Sequence, residues 1–297
     1  MEADMSNSRS ELKEKKRQQI LVPHDFSDAC QCAVSYGLML ARIFRCEMSL
    51  IHIKPEVKGA APDADQGTEL VKTRLAQIAG RLQQESGLKV NAYVMRGKVP
   101  DIIGNIIERI NAIVVVAGLN TINRRPSDYF TPSRLVADYR TLRIPLLVVQ
   151  NKMPDFRVFD HIILPIDFNR ESKEKASWAG YLGKLNQSFV TVTHTDYRDG
   201  FLAVQLRNNL MLVKKLFTTL GTLNEFHKAE RVRYGIDRYS VAYAKMRKAG
   251  MIIITTTKEW GIDDYILGPV EKRIICNEDQ LPVMMINPRD DLFVPCI

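Results

Sequence analysis

Leu21-Val22-Pro23-His24-Asp25-Phe26 returns later in the chain as Ile163-Leu164-Pro165-Ile166-Asp167-Phe168. The two aspartates are 142 residues apart in a chain of 297. An apolar run stopped by Pro-x-Asp-Phe reads as a strand that ends where a crevice begins. Two such runs, half a chain apart, read as two copies of one domain. The offset of 142 holds through the next element, carrying Tyr36 onto Trp178, Leu40 onto Leu182 and His52 onto His194. Further on, Ile113 to Val116 answers Met251 to Ile254 at an offset of 138, and Pro145 answers Pro282 at 137. The small changes fall between elements, where duplicates tolerate length differences.

Each half alternates strand-like and helix-like patterns. Gln19 to Pro23 is a continuous apolar run, as in a central parallel strand covered on both faces. Ser27 or Asp28 suits the cap of the next helix. The apolar face of that helix is Ala33, Tyr36, Gly37, Leu40, Ile43 and Phe44, at helical spacing. Further strands are expected at Met48 to Ile53, Lys89 to Met95, Ala112 to Ala117 and Pro145 to Gln150. Helices are expected around Val71 to Leu82, Ile102 to Ile110 and Ser133 to Arg140. In the second half the strands fall near His161 to Ile166, Phe189 to His194, Leu223 to Lys228, Met251 to Thr256 and Val283 to Asn287. A long helix there carries Leu206, Leu210, Val213, Phe217 and Leu220 on one face. Alternating strands and helices imply parallel sheets with right-handed crossovers. The expected fold class is therefore α/β, two tandem doubly wound domains, each a five-stranded parallel sheet flanked by helices. The expected boundaries are a polar tail at 1–17, domains at 18–152 and 160–290, a linker at 153–159 and an apolar tail at 291–297.

Composition bounds the alternatives. Hydrophobic content is 45% and charged content 26%, ordinary for a globular protein. No apolar run approaches the ~20 residues of a membrane span, and the charged first residues do not form a secretory leader. A cytoplasmic protein without membrane partners is the expectation. The five cysteines form no Cys-x-x-Cys pair, which argues for free thiols and against a disulfide framework or zinc site. The net charge of +8 is spread along the chain and accompanies no nucleic-acid-binding signature. No Gly-x-Ser-x-Gly nucleophile motif, P-loop or dinucleotide fingerprint is present.

The order strand-Pro-x-Asp-Phe-Ser, amphipathic helix, strand ending in His, apolar strand, loop, helix and Pro-Leu-Leu-Val-Val resembles the universal stress protein family. The resemblance spans both halves. It implies a Rossmann-like, adenine nucleotide alpha hydrolase-like fold and an intramolecular pseudo-dimer whose last strands, within Pro145–Gln150 and Pro282–Ile286, meet edge to edge. It also allows for a homodimer and an unidentified protein partner. For members that bind ATP or another adenine nucleotide, it implies contacts at Pro23, Asp25, Ile53, Gly118 and Ser133 in the first half, and at Asp167 and Gly268 in the second. Such members carry Gly-x2-Gly-x9-Gly-Ser/Thr after the fourth strand. Glycines let the backbone approach phosphate there, and a helix N-terminus faces it. Here Gly118 is followed by Thr121 and by Thr131-Pro132-Ser133, and the second half reads Thr255, Lys258, Gly268 and Pro269. Neither half carries the full pattern.

Each candidate also has a plainer structural role. Asp25 and Asp167 suit helix capping or turn fixing, Pro23 a strand end, Ile53 core packing, and Ser133 a helix cap. Arg124 and Arg125 suggest an anion site, since arginine recognises phosphate without glycine, or a solvated basic surface. The expected function is a non-enzymatic, stress-response or regulatory binding protein with degenerate or lost ATP-binding loops. The alternative is an adenine-nucleotide switch with slow hydrolysis.

Overall fold

The computed structural model describes residues 17–54, 66–121, 129–140, 142–230, 232, 235–256 and 270–287. The first half comprises β1 (Gln19–Pro23), α1 (Asp28–Ile43), β2 (Glu47–Lys54), α2 (Gln66–Ser86), β3 (Val90–Arg96), α3 (Val99–Arg109), β4 (Ala112–Gly118), α4 (Pro132–Tyr139) and β5 (Leu146–Val149). The second comprises β6 (His161–Pro165), a 3-10 turn (Arg170–Lys173), α5 (Glu174–Asn186), β7 (Phe189–Thr195), α6 (Gly200–Leu220), β8 (Asn224–Ala229), α7 (Ile236–Met246), β9 (Met251–Thr255), α8 (Val270–Ile275) and β10 (Val283–Ile286).

The ten strands among the described residues form one sheet in the order β3-β2-β1-β4-β5-β10-β9-β6-β7-β8. Pairing is parallel within each half and antiparallel where β5 meets β10, with Leu147 opposite Met284. Two doubly wound sheets thus share their last strands, and the pairing satisfies ladder groups that a free edge would expose. The chain takes two further steps to seal that seam. Gln150, just past β5, donates its side-chain amide to the carbonyls of Ile275 and Asn277 at 3.0 Å each. Asn287, just past β10, donates to Tyr139 and Leu142 carbonyls at 2.6 and 2.8 Å. Each half therefore caps the last helix of the other, whose final carbonyls lack intrahelical partners.

Alternation along the strands sorts side chains to two faces. Ile20, Val22, Met48, Leu50, Val114 and Val116 pack with α1, α2, α5 and α6. Leu21, Ile51, Ile53, Val115 and Ala117 pack with α3, α4, α7 and α8. Gly37 is a packing glycine: a Cβ there would lie 2.9 Å from a Val22 methyl, so its absence lets α1 settle onto β1. α3 begins three residues before the expected Ile102, taking in Pro100 in its first turn, where no intrahelical bond needs the N–H that proline lacks. Ser27, not Asp28, caps α1, its Oγ accepting the Cys30 N–H at 3.2 Å.

Candidate ligand crevices

In a doubly wound sheet the crevice lies beyond the strand C-termini, where helices leave to opposite faces. The first-half crevice is built on β1, β2 and β4. Pro23 closes β1, and the His24 N–H still reaches the Ile51 carbonyl at 2.8 Å. Two residues on, Ile53 turns its backbone N–H and C=O to the same side. β1 has ended there, so no strand meets them. Tyr129 supplies the missing partner. Its hydroxyl accepts the Ile53 N–H at 2.5 Å and donates to the Ile53 carbonyl at 2.9 Å. His52 Nδ1 lies 2.9 Å from the same hydroxyl and 2.7 Å from the His24 carbonyl. With His52 protonated on Nδ1, its one N–H is shared between the nearer His24 carbonyl and the Tyr129 hydroxyl.

The Asp25 carboxylate is also taken up by the chain. One oxygen accepts the Ser27 N–H at 3.0 Å and the other the Tyr129 N–H at 2.9 Å. The Cys30 sulfur accepts the Asp25 N–H at 3.3 Å, and its thiol donates to the Pro23 carbonyl at 3.2 Å. Burial raises the Asp25 carboxyl, but hydrogen bonds from Cys30, Ser27 and Tyr129 outweigh it and hold the group below its usual range. Burial pushes His24 down to about 4 and also lowers His52, so both rings are neutral at pH 7. An aromatic chain runs through the site: His24–Phe26 at 4.8 Å between centroids, Phe26–His52 at 4.9 Å, His52–Tyr129 at 5.7 Å and Tyr129–Phe130 at 6.1 Å. The Arg74 guanidinium covers Phe26 at 4.4 Å. Phe26 itself holds φ 64°, a left-handed conformation uncommon for a non-glycine residue.

Gly118 ends β4 facing protein. A Cβ there would stand 2.3 Å from the Ala29 carbonyl oxygen, so the missing side chain lets β4 abut the first turn of α1. Ser133 is exposed in the first turn of α4, and the cap expected there is made by Thr131 instead, whose Oγ1 accepts the Arg134 N–H at 3.2 Å. Thr131 is the residue with extended backbone immediately before Pro132, and the residue before proline is biased to that conformation. Arg124, Arg125 and Gly268 lie outside the described residues. Arg140, just past the end of α4, reaches the other half, 3.7 Å from Glu271. Structure thus brings Pro23, Asp25 and Ile53 together around Tyr129 and sets Gly118 against α1.

The second-half crevice is filled by different chemistry. Among the described residues the Asp167 carboxylate bonds only within its own turn, accepting the Asn169 N–H at 3.0 Å and the Asn169 side-chain amide at 2.6 Å. Buried Asn209 of α6 donates to the Asp167 and Asn169 carbonyls at 2.9 and 2.8 Å. Lys175, in the first turn of α5, is only 2% exposed, and its Nζ lies 3.7 Å from Asp237 Oδ1 in the first turn of α7. Since α5 and α7 pack on opposite faces, this ion pair spans the strand ends. Burial raises the Asp237 carboxyl, Lys175 opposes that, and Asp167 and Glu271 add to the rise. The sequence signal for Lys175 lies in the repeat: 175 − 142 = 33, and Ala33 faces the core. A lysine in a core position of a duplicated helix calls for a buried partner. Tyr129 had no such signal, because its role depends on a strand ending opposite Ile53.

A separate cavity of about 710 Å³ opens at the other end of the second half, between Val158, His161, Gly250 and Pro282. Among its charged neighbours, Lys245 pairs with Asp279 at 2.8 Å and Arg157 with Asp160 at 3.1 Å. Among the described residues, no group of three or more His, Cys, Asp or Glu side chains is placed to hold a metal ion. Nor is any described helix long and apolar enough to cross a membrane.

Residues 16–149 match the model of the Universal stress protein family. No curated protein matches the chain. Among solved structures, the chain is similar to a universal stress protein from Archaeoglobus fulgidus DSM 4304, with TM-score 0.71 and 15% identity over 91% of this chain and 98% of that one. It is also similar to a functionally unknown protein from Pseudomonas aeruginosa PAO1, with TM-score 0.57 and 13% identity over 92% and 93%. At these identities the likeness is one of fold, and it extends over both halves.

Proposed function

We propose that this chain, whose residues 16–149 match the model of the Universal stress protein family, is a non-enzymatic regulatory binding protein of the stress-response type. In this reading both nucleotide crevices are closed by the chain's own side chains. The observation that carries it is the Tyr129 hydroxyl, which takes both the N–H and the C=O of Ile53. A purine edge entering there would have to displace the phenol and break both bonds. Two further features support the reading: Gly118 is packed against the Ala29 carbonyl, and buried Lys175 pairs with partly exposed Asp237 across the second crevice. Neither half retains the full glycine pattern. We take 18–152 and 160–290 as two domains that act as an intramolecular pseudo-dimer through β5, β10 and the reciprocal amide caps. We also take the setting to be cytoplasmic.

The test is nucleotide occupancy. The protein is purified without added nucleotide, denatured, and its supernatant analysed for adenine nucleotides, and ATP and AMP are then titrated calorimetrically. The expected result is less than one nucleotide per ten chains and no saturable heat at millimolar ligand. Stoichiometric nucleotide or micromolar binding would overturn closure and establish the alternative, a nucleotide switch in which Tyr129 is displaced.

A further inference from the structure

The two halves use one helix position differently. α2 and α6 each follow the second strand of their half, and each is 21 residues long. The outer face of α2 carries charges of both signs, with Lys72–Glu69 at 2.6 Å and Arg81–Glu85 at 3.9 Å. Such pairs are typical of a solvated helix. Leu70 is its one large apolar residue left exposed among the described residues. α6 has no acidic residue along its length. It exposes Phe201 by 70%, Val204 by 50%, Met211 by 64% and Leu212 by 48%. These four are not overflow from the core, because Leu206, Asn209, Val213 and Phe217 already face inward.

Positions 201, 204, 208, 211 and 215 step by three and four, the seam of a paired helix. They read Phe201, Val204, Asn208, Met211 and Lys215. Arg207 and Lys214 flank the seam on one side, exposed. We infer that this face of α6 docks an acidic amphipathic helix of a partner protein. Glutamates beside the partner's seam would meet Arg207, Lys214 and Lys215, and a polar residue facing Asn208 would fix the register. A second copy fits poorly, because it would set the same three cations against themselves in a chain already at +8. A bilayer fits poorly too, because Asn208 and Lys215 interrupt the apolar strip and would lose water without gaining a partner. Three apolar anchors on the seam, with Leu212 beside it, are fewer than a standard interface of about 20–30 residues per side, so the contact is weak and reversible.

The inference deepens the binding reading above and rests on it for the partner being a protein, but not on closure of the crevices. The probe is a fluorescein-labelled peptide of three heptads, with Leu at seam positions, Asn opposite Asn208 and Glu at the flanks, titrated with the full chain. Anisotropy should report a Kd on the order of 10–100 µM, given so small an interface. Met211→Glu and Arg207→Glu should each weaken binding about tenfold or more, and so should exchanging the peptide's Glu for Lys. Both variants are on the surface, and unchanged melting curves will show that they fold. Absent binding, equal binding of the acidic and basic peptides, or indifference to Met211→Glu overturns the inference. So does Met211-dependent self-association by sedimentation velocity, or flotation with phosphatidylserine vesicles in place of peptide binding. Nucleotide uptake with intact peptide binding would overturn the closed crevices alone, and the reverse result would overturn this inference alone.

Discussion

Replacing Tyr129 by Phe removes one oxygen and strands two backbone groups. Ile53 is 1% exposed, and the Tyr129 hydroxyl bonds its N–H and its C=O beyond the end of β1. A buried polar group left without a partner costs about 1–3 kcal/mol. Phenylalanine sheds the desolvation cost of the hydroxyl itself, which returns part of that sum. A net loss of about 2 kcal/mol follows, or roughly 4–8 °C in Tm for a unit of this size. The molecule supplies its own control ten residues on. The Tyr139 hydroxyl is buried and has no hydrogen-bond partner among the described residues, so Tyr139→Phe removes an uncompensated desolvation and should leave stability unchanged or raise it by up to about 1 kcal/mol. Both variants keep the ring, so packing is held constant. Urea titration followed by tryptophan fluorescence, with Tm by calorimetry, reads both. If Tyr129→Phe unfolds at the same urea midpoint as Tyr139→Phe, the hydroxyl does not serve Ile53 and the closed-crevice argument fails.

Two other expectations follow from the buried charges. Lys175→Met leaves Asp237, whose side chain is 29% exposed, without its cation, and solvent reaching that carboxylate keeps the loss below the about 3–5 kcal/mol of breaking a fully buried pair. Its raised carboxyl pKa lets Asp237 escape by taking a proton, so the loss seen at pH 8 should shrink by pH 5. Lys175→Met with Asp237→Asn should recover most of the stability, and urea midpoints at both pH values check this; a Lys175→Met protein as stable as the parent at pH 8 would refute it. His24 is held neutral, with its pKa lowered from 6.5 to about 4 by burial. A depressed histidine means that the unfolded chain binds the extra proton between those values. Its contribution is therefore complete above pH 6.5 and is lost as pH falls toward 4, up to about 3 kcal/mol. His24→Asn, which keeps an acceptor where Nδ1 receives the Phe26 N–H at 3.3 Å, should flatten stability across that window relative to the parent. Parallel curves for the two proteins would show that other groups carry the acid sensitivity.

The fold was readable because its signals are periodic. The strand-Pro-x-Asp repeat, the α1 face through Tyr36 and Leu40, and the α6 face through Leu206, Val213 and Phe217 each recur at spacings that fix which side is buried. The edge-to-edge meeting of β5 and β10 followed from the family resemblance, not from composition. The crevices were much less readable. Gly118 looks like a phosphate-loop glycine in sequence, yet its missing Cβ makes room for the Ala29 carbonyl, 89 residues earlier in the chain. Ser133 sits in a Thr-Pro-Ser run in which either hydroxyl could cap, and the proline decides for Thr131. Tyr129 carries no local pattern. Its role comes from where β1 stops relative to β2, a three-dimensional offset that no spacing along the chain records.

The repeated aspartate shows how duplication separates position from role. Asp25 and Asp167 occupy the same place after the same strand, and each makes an Asx-type turn with the N–H two residues on. Only Asp25 has an oxygen left over for a distant segment, and it spends it on the Tyr129 N–H 104 residues away. Asp167 turns its second oxygen back to the Asn169 side chain. In the reading proposed above, the two crevices are consequently closed by different means. In the first, one carboxylate and one backbone amide group grip a tyrosine at both ends, its N–H and its hydroxyl. In the second, α5 and α7 are tied across the sheet by Lys175 and Asp237. The first closure is neutral hydrogen bonding around a ring, apart from Asp25, and can be opened by any planar group that offers Ile53 the same donor and acceptor. The second is ionic and opens only if something else neutralises a buried lysine. Asp25→Asn should therefore loosen Tyr129 while sparing the second half, whereas Asp167→Asn should leave Tyr129 untouched. Hydrogen exchange at the Ile53 amide distinguishes them, rising in the first variant alone.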